Sequence, residues 1–161
     1  MSWSAVLQHL QQPEYVHVLI NPVPLYGMAM AVFGLAAGLI ARSRASRIIG
    51  LLMVLAVSAV TWFAYRYGYR GFDRVYAMSG GDAQAWLDVH KHRAVVTSIV
   101  FTIAAVLAAV SLIGEIKPFR FSLGLTVLAL VAAIAATGAA AWISQAGGQV
   151  RHSEFRSGPP A

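Results

Sequence analysis

Ala94–Gly114 reads AVVTSIVFTIAAVLAAVSLIG, a run without one charge. A helix needs roughly 20 such residues to cross the hydrocarbon core of a bilayer. Helix is the form available there, because no water reaches the core to bond a backbone N–H or C=O. Strands of a membrane barrel would alternate polar and apolar residues over about ten positions, and this run does not. Working outward, three more uncharged stretches of comparable length follow the same rule: Val23–Ala41, Ile48–Tyr65 and Phe121–Ser144. The chain is therefore predicted to be all-α. It reads as one integral membrane domain over 1–161, a four-helix up-and-down bundle with no repeat, linker or second domain.

Composition agrees. The chain is 58% hydrophobic and 11% charged, where a soluble domain carries about a quarter charged residues. The net charge of +6 does not point to nucleic acid, because the Lys and Arg lie between uncharged runs and not on a soluble face. The absence of Cys excludes disulfides, thiolate metal sites, iron–sulfur clusters and c-type haem attachment.

Loop charge sets the expected orientation. The short connections Arg42–Arg47 and Glu115–Arg120 hold five Lys and Arg: Arg42, Arg44, Arg47, Lys117 and Arg120. The other seven are spread over the much longer segments outside the spans on the opposite face. Short basic loops stay cytoplasmic, so both termini and the loop Arg66–Arg93 are expected on the periplasmic side of a bacterial inner membrane. Residues 1–22 carry no Lys or Arg. The basic leader of a cleavable signal peptide is thus missing, and the first span is expected to insert uncleaved. All four Trp (Trp3, Trp62, Trp86 and Trp142) fall at or beyond the outer ends of the spans, as an interfacial aromatic belt does.

The outer face holds most of the local detail. Residues 2–12 read as a short amphipathic surface helix, with Ser4 as a candidate cap. Pro22 and Pro24 suit a helix start. Gly34-x-x-x-Gly38 and the Ala, Gly and Thr run ending at Trp142 favour close helix packing. Arg66, Arg70 and Arg74 recur at i, i+4 and i+8, so the second helix is expected to continue outward. Asp82 is expected to cap a helix running through His90 and His92 into the third span. Gly147-Gly148 are expected to end the fourth helix, followed by the cluster Arg151-His152-Ser153-Glu154.

The histidines carry the chemistry. His17 precedes the first span, His90 and His92 the third, and His152 follows the fourth, so an antiparallel bundle brings these ends to one face. Neutral imidazole binds haem iron, Zn and Cu. His90 and His92 lie about 200° apart on a helix and cannot share one pocket. Asp88 stands four before His92 and can orient its ring. His90 has Trp86 four before it and Thr97 seven after, which equally marks an inward face. The expected haem pair is His17 with His92, leaving His90 and His152 for a second haem or a metal. Arg66, Arg70, Arg74 and Arg151 either clamp propionates through bidentate contacts or face lipid phosphates. No hydrolase triad, phosphate loop or metalloprotease helix is present, and no acidic residue lies inside a span to relay protons. No catalytic residue is assigned.

Three segments resemble a known group. The entry H-x-x-x-N-P-x-P-x-Y-G (His17 to Gly27), the block D-V-H-K-H-R-A (Asp88 to Ala94) and the exit A-G-G-Q-V-R-H-S-E-F-R (Ala146 to Arg156) are similar to a family of small uncharacterised bacterial four-helix membrane proteins. More remotely, the arrangement resembles b-type cytochrome membrane-anchor subunits, which usually keep their haem histidines inside the spans. That resemblance implies a membrane electron-transfer subunit holding one or two b-type haems near the periplasmic face. Its partners would be the quinone pool and a periplasmic carrier or other subunits of a redox complex. Two alternatives stand beside it. One is a non-redox structural or anchoring subunit. The other is a Zn or Cu site of His17, His90 or His92, and His152, with Glu154 or Asp88 as a further ligand.

Overall fold

The computed structural model describes residues 3–158 and 160. Its elements are α1 (Trp3–Leu10), α2 (Pro13–Ile20), α3 (Pro22–Ile40), α4 (Arg44–Met78), α5 (Asp82–Ile116) and α6 (Ser122–Arg151), closed by a 3₁₀ turn at Ser153–Phe155. The segments Pro13–Ile40, Arg44–Met78, Asp82–Ile116 and Ser122–Arg151 are long and apolar enough to cross a bilayer. The chain is a multi-pass, all-α membrane protein. Helices adjacent in sequence pack side by side, and α3 also packs on α6, so α3 to α6 close into a four-helix ring.

At 1.5 Å per residue, the 35 residues of α4 and of α5 extend about 50 Å, well beyond a core of about 30 Å. Both project at the end that carries the termini, in line with the arginine periodicity. The opposite end holds only two short loops.

Packing inside the ring follows side-chain size. Met28, Ala31 and Leu35 of α3 meet Leu51, Val54 and Val57 of α4, while α5 and α6 face each other through Phe101, Ala104, Ala108, Ala129, Ala133, Ala136 and Ala140. Lipid is as apolar as these side chains, so close backbone approach and dispersion hold the helices together. Where α3 crosses α4, a Cβ on Gly50 would lie 2.8 Å from the Leu35 Cα, and one on Gly38 would lie 2.7 Å from the Arg47 backbone N. Gly34 has open space around it, so Gly38 alone of the Gly34/Gly38 pair does the expected packing.

Several local expectations change. The surface helix expected over 2–12 forms at Trp3–Leu10, with Ser4 inside it and Ser2 outside the described residues; a second short helix, α2, follows it. Pro22 starts a helix as expected, and Pro13 does the same for α2, each in a first helical turn where the missing N–H costs nothing. Gly81 at φ 49° takes the cap position before α5, and Asp82 begins the helix. Gly147-Gly148 do not end α6, which runs on to Arg151. Trp86 is buried and does not join an exposed belt.

Candidate functional site

The site begins with how α2 is seated. Glu14 and His17 are one turn apart on α2, and Gly71 and Gly68 are three apart on α4, so the antiparallel helices mesh face to face. A Cβ on Gly71 would lie 2.9 Å from the Glu14 backbone N, and one on Gly68 would lie 2.9 Å from the His17 ring. Only glycine permits that approach. Arg74 then closes the seat with an ion pair to Glu14 at 2.8 Å. At the far edge, His17 donates its Nδ1–H to the Ala64 carbonyl at 2.8 Å.

His90 approaches from α5. It donates Nδ1–H to the Ile143 carbonyl of α6 at 3.3 Å, and a Cβ on Gly147 would meet its ring at 3.3 Å. The paired glycines therefore admit an imidazole and keep the helix continuous. The His17 and His90 rings lie 6.2 Å apart, centroid to centroid, at 80° to one another. Among the described residues, no Cα of α2 comes within 8 Å of a Cα of α5, so the two rings bridge a gap that the backbones leave open. Neither Nε2 has a hydrogen-bond partner among the described residues. A cavity of about 40 Å³ beside His17 reaches Asn21, Thr61, Thr97 and Ser144.

The pairing differs from the one expected. His17 meets His90, whereas His92 is exposed, as is Asp88. The reason is helical phase: Trp86 and Thr97 are buried, so the face of α5 that they share with His90 is the inward one, and His92 points away. His152 does not join the pair. It stacks on Phe155 at 4.8 Å and bonds the Glu154 carboxylate at 2.9 Å. That carboxyl lies below the usual carboxylate range, first because its own backbone N–H bonds it and then because His152 does. His9 stacks on Tyr15. Among the described residues no group of three His, Asp or Glu side chains converges on a metal-sized site, so the three-helix histidine cluster expected from sequence does not form.

The arginines divide by role. Arg74 pairs with Glu14. Arg66 lies 5.7 Å over the Trp62 ring, and Arg70 and Arg151 are exposed. Arg156, which sequence does not single out, folds the tail back by donating to the Gln149 carbonyl at 2.8 Å and the Val150 carbonyl at 3.2 Å. The last carbonyls of α6 are thereby satisfied. Arg93 and Lys91 hold the projecting helices: Arg93 donates to the Trp142 carbonyl at 2.9 Å, and Lys91 lies 3.8 Å over the Phe72 ring.

A second polar centre, which no local sequence pattern announces, lies at the short-loop end. Glu115 is 5% exposed and receives a two-point contact from Arg47, 2.6 Å from Nε and 2.9 Å from Nη2. Thr126 donates to the same carboxylate at 3.2 Å, and Arg44 bonds the Glu115 backbone carbonyl at 2.8 Å. This cluster ties α4, α5 and α6 together where the loops are short. The one available clue is the coincidence of a lone acid with a basic loop at one membrane face.

Comparison of the chain with protein-family models, with curated proteins and with solved structures finds no match. What the site can do therefore rests on its own chemistry: two imidazoles with unengaged Nε2 atoms, held by carbonyls on separate helices.

Proposed function

We propose that the chain is a membrane electron-transfer subunit in which His17 and His90 would hold one b-type haem between α2 and α5. One observation carries this reading. Imidazoles bound to opposite sides of one metal through bonds of roughly 2 Å have ring centres roughly 6 Å apart, and these rings are 6.2 Å apart. Each ring commits Nδ1–H to a carbonyl, which fixes the tautomer that leaves Nε2 free to ligate. When bound, haem supplies one-electron chemistry at a potential that ligation and burial tune.

The fit is specific in one respect and demanding in another. The ring spacing and the open backbone gap would suit a pair of ligands to one metal, but the cavity of about 40 Å³ beside His17 does not hold a macrocycle. Loading would require the side chains packed around the two rings to part while α2 stays seated on Gly68 and Gly71, so that the ring spacing is kept. The chain's own residues orient the two rings and set where the ligand nitrogens stand. The excess of Lys and Arg in the two short loops supports an orientation with the termini, and hence the histidine pair, on the periplasmic side of an inner membrane. There a periplasmic carrier or a neighbouring redox subunit would exchange electrons with the quinone pool through this chain.

A second reading, a non-redox anchor subunit, draws on the same bonds. Both Nδ1 atoms are already satisfied by backbone carbonyls, so the pair also fastens α2 to α4 and α5 to α6. Zn or Cu draws less support, because two imidazoles are half of a closed tetrahedral set. The deciding experiment is haem content and the dithionite-reduced spectrum of the detergent-purified protein and its variants. His17→Ala and His90→Ala should each lose haem or its low-spin bands, while His92→Ala and His152→Ala should not. A folded, colourless protein from haem-replete cells overturns the haem reading and leaves the anchor.

A further inference from the structure

We infer that the α4–α5 face holds one anionic phospholipid at a fixed site, with an acyl chain in the groove between the helices and the phosphate at Arg66 and Lys91. The groove has a volume of about 270 Å³ and is lined from Leu55 to Trp62 on α4 and from Ser98 to Val106 on α5. Trp62 and Val106 at its rim are exposed, so it opens toward lipid. Those stretches run about 10–12 Å along the helices, and the volume spread over that length is about as wide as a single hydrocarbon chain. Its hydroxyls ask nothing of a ligand. Thr61 donates to the Val57 carbonyl, Ser98 to the Val95 carbonyl and Thr102 to the Ser98 carbonyl, while the Ser58 Oγ is enclosed. An apolar chain therefore enters without stranding a polar group.

Charge at the outer end of the groove decides which lipid belongs there. By the helical period, Leu55, Ala59, Trp62 and Arg66 share one stripe of α4, and Thr102, Ser98 and Lys91 share one stripe of α5. Each stripe thus runs from the groove to a cation. Arg66 lies 5.7 Å over the ring of Trp62, which lines the groove, so its guanidinium is held at the mouth. Lys91 stands farther out, 3.8 Å over the Phe72 ring. Neither makes an ion pair among the described residues, and Asp88, one turn from Lys91, does not answer it. Arg66 directly follows the second span and Lys91 stands just before the third, which is headgroup depth. Orientation gives these cations no role, because Lys and Arg hold loops on the cytoplasmic side and the proposed orientation puts these two on the opposite one. A neutral lipid fills the groove but leaves both cations unanswered, and a soluble phosphate does the reverse. An anionic phospholipid satisfies both.

The site stands or falls independently of the haem. Purified protein is placed in nanodiscs of dioleoylphosphatidylcholine doped with equal amounts of either dibrominated phosphatidylglycerol or dibrominated phosphatidylcholine. Chain bromine quenches tryptophan on contact, and the Trp62 share is the difference made by Trp62→Phe in each background. Phosphatidylglycerol should quench Trp62 with at least about fivefold higher affinity than phosphatidylcholine, the gain from one Lys or Arg at an anionic surface. The double replacement Arg66→Gln with Lys91→Gln should bring that ratio to one. Ala105→Phe, which fills the groove, should remove the preference while both cations remain. A ratio of one in the parent overturns the site, as does a preference that survives the double replacement. A preference unchanged in Ala105→Phe overturns the groove and reduces the contact to a headgroup. Relief of the quenching by inorganic phosphate overturns the lipid assignment in favour of a free anion.

Discussion

Gly71→Ala tests how α2 carries His17. The added Cβ would stand 2.9 Å from the Glu14 backbone N and 3.1 Å from its Cα. These are backbone atoms, so a rotamer change cannot relieve the contact. Ordinary contact begins at 3.4 Å. Reaching it requires α2 to lift by about 0.5 Å, which stretches the His17–Ala64 bond from 2.8 Å to about 3.3 Å, the limit for such a bond. Overpacking costs about 1–3 kcal/mol and a weakened hydrogen bond up to about 1. The helix-propensity gain of Ala over Gly acts on α4 whether or not α2 is docked, so the cost to docking is about 1–4 kcal/mol. Hydrogen exchange of the α2 amides in detergent reads this directly: exchange should rise roughly 5- to 900-fold in α2 while the α5–α6 core stays unchanged. Gly34→Ala, with nothing within 4 Å, is the control and should slow exchange in α3 slightly. Unchanged α2 exchange in Gly71→Ala refutes the glycine seat and, with it, the account of how His17 is held.

The remaining predictions concern the ends of the bundle. Arg47→Met strands the buried Glu115 carboxylate and should cost about 3–5 kcal/mol, while the double replacement with Glu115→Met recovers most of it; unfolding in mixed detergent–SDS micelles measures both, and equal losses would deny the coupling. Arg42 has φ 52° at the left-handed position that closes α3, where Ser43 bonds the Gly38 carbonyl and Arg42 the Leu39 carbonyl. Arg42→Gly should therefore add up to about 1 kcal/mol, read as a small rise in Tm. Arg156→Ala frees the carbonyls of Gln149 and Val150, and tryptic cleavage after Arg151 should accelerate at least several-fold; an unchanged rate would mean that the tail is held otherwise.

The four spans are legible because an uncharged run long enough to cross a bilayer has few other uses, and the outward extension of α4 follows from the spacing of Arg66, Arg70 and Arg74. What sequence hides depends on tertiary contact. Gly147-Gly148 read as a terminator because glycine weakens a helix locally, yet they are the gap into which the His90 ring and Phe155 fit. α2 stays hidden because a short segment between two prolines looks like a loop until Gly68 and Gly71 supply a surface for it. The choice between His90 and His92 turns on helical phase. Trp86 and Thr97 mark the inward face, but Asp88 offers His92 a rival partner that the fold leaves exposed. Glu115 finds Arg47 across 68 positions, a distance that no local pattern spans.

The most direct test of the histidine pair is the low-temperature EPR spectrum of the oxidised, haem-replete protein. Imidazole planes 80° apart would leave the two iron dπ orbitals that overlap the imidazole π systems nearly degenerate, which would give a strongly anisotropic low-spin signal. The account predicts that signal in the parent, in His92→Ala and in His152→Ala, with its loss in His17→Ala and in His90→Ala. A folded parent with no low-spin iron, or a low-spin signal that survives removal of either His17 or His90, contradicts it.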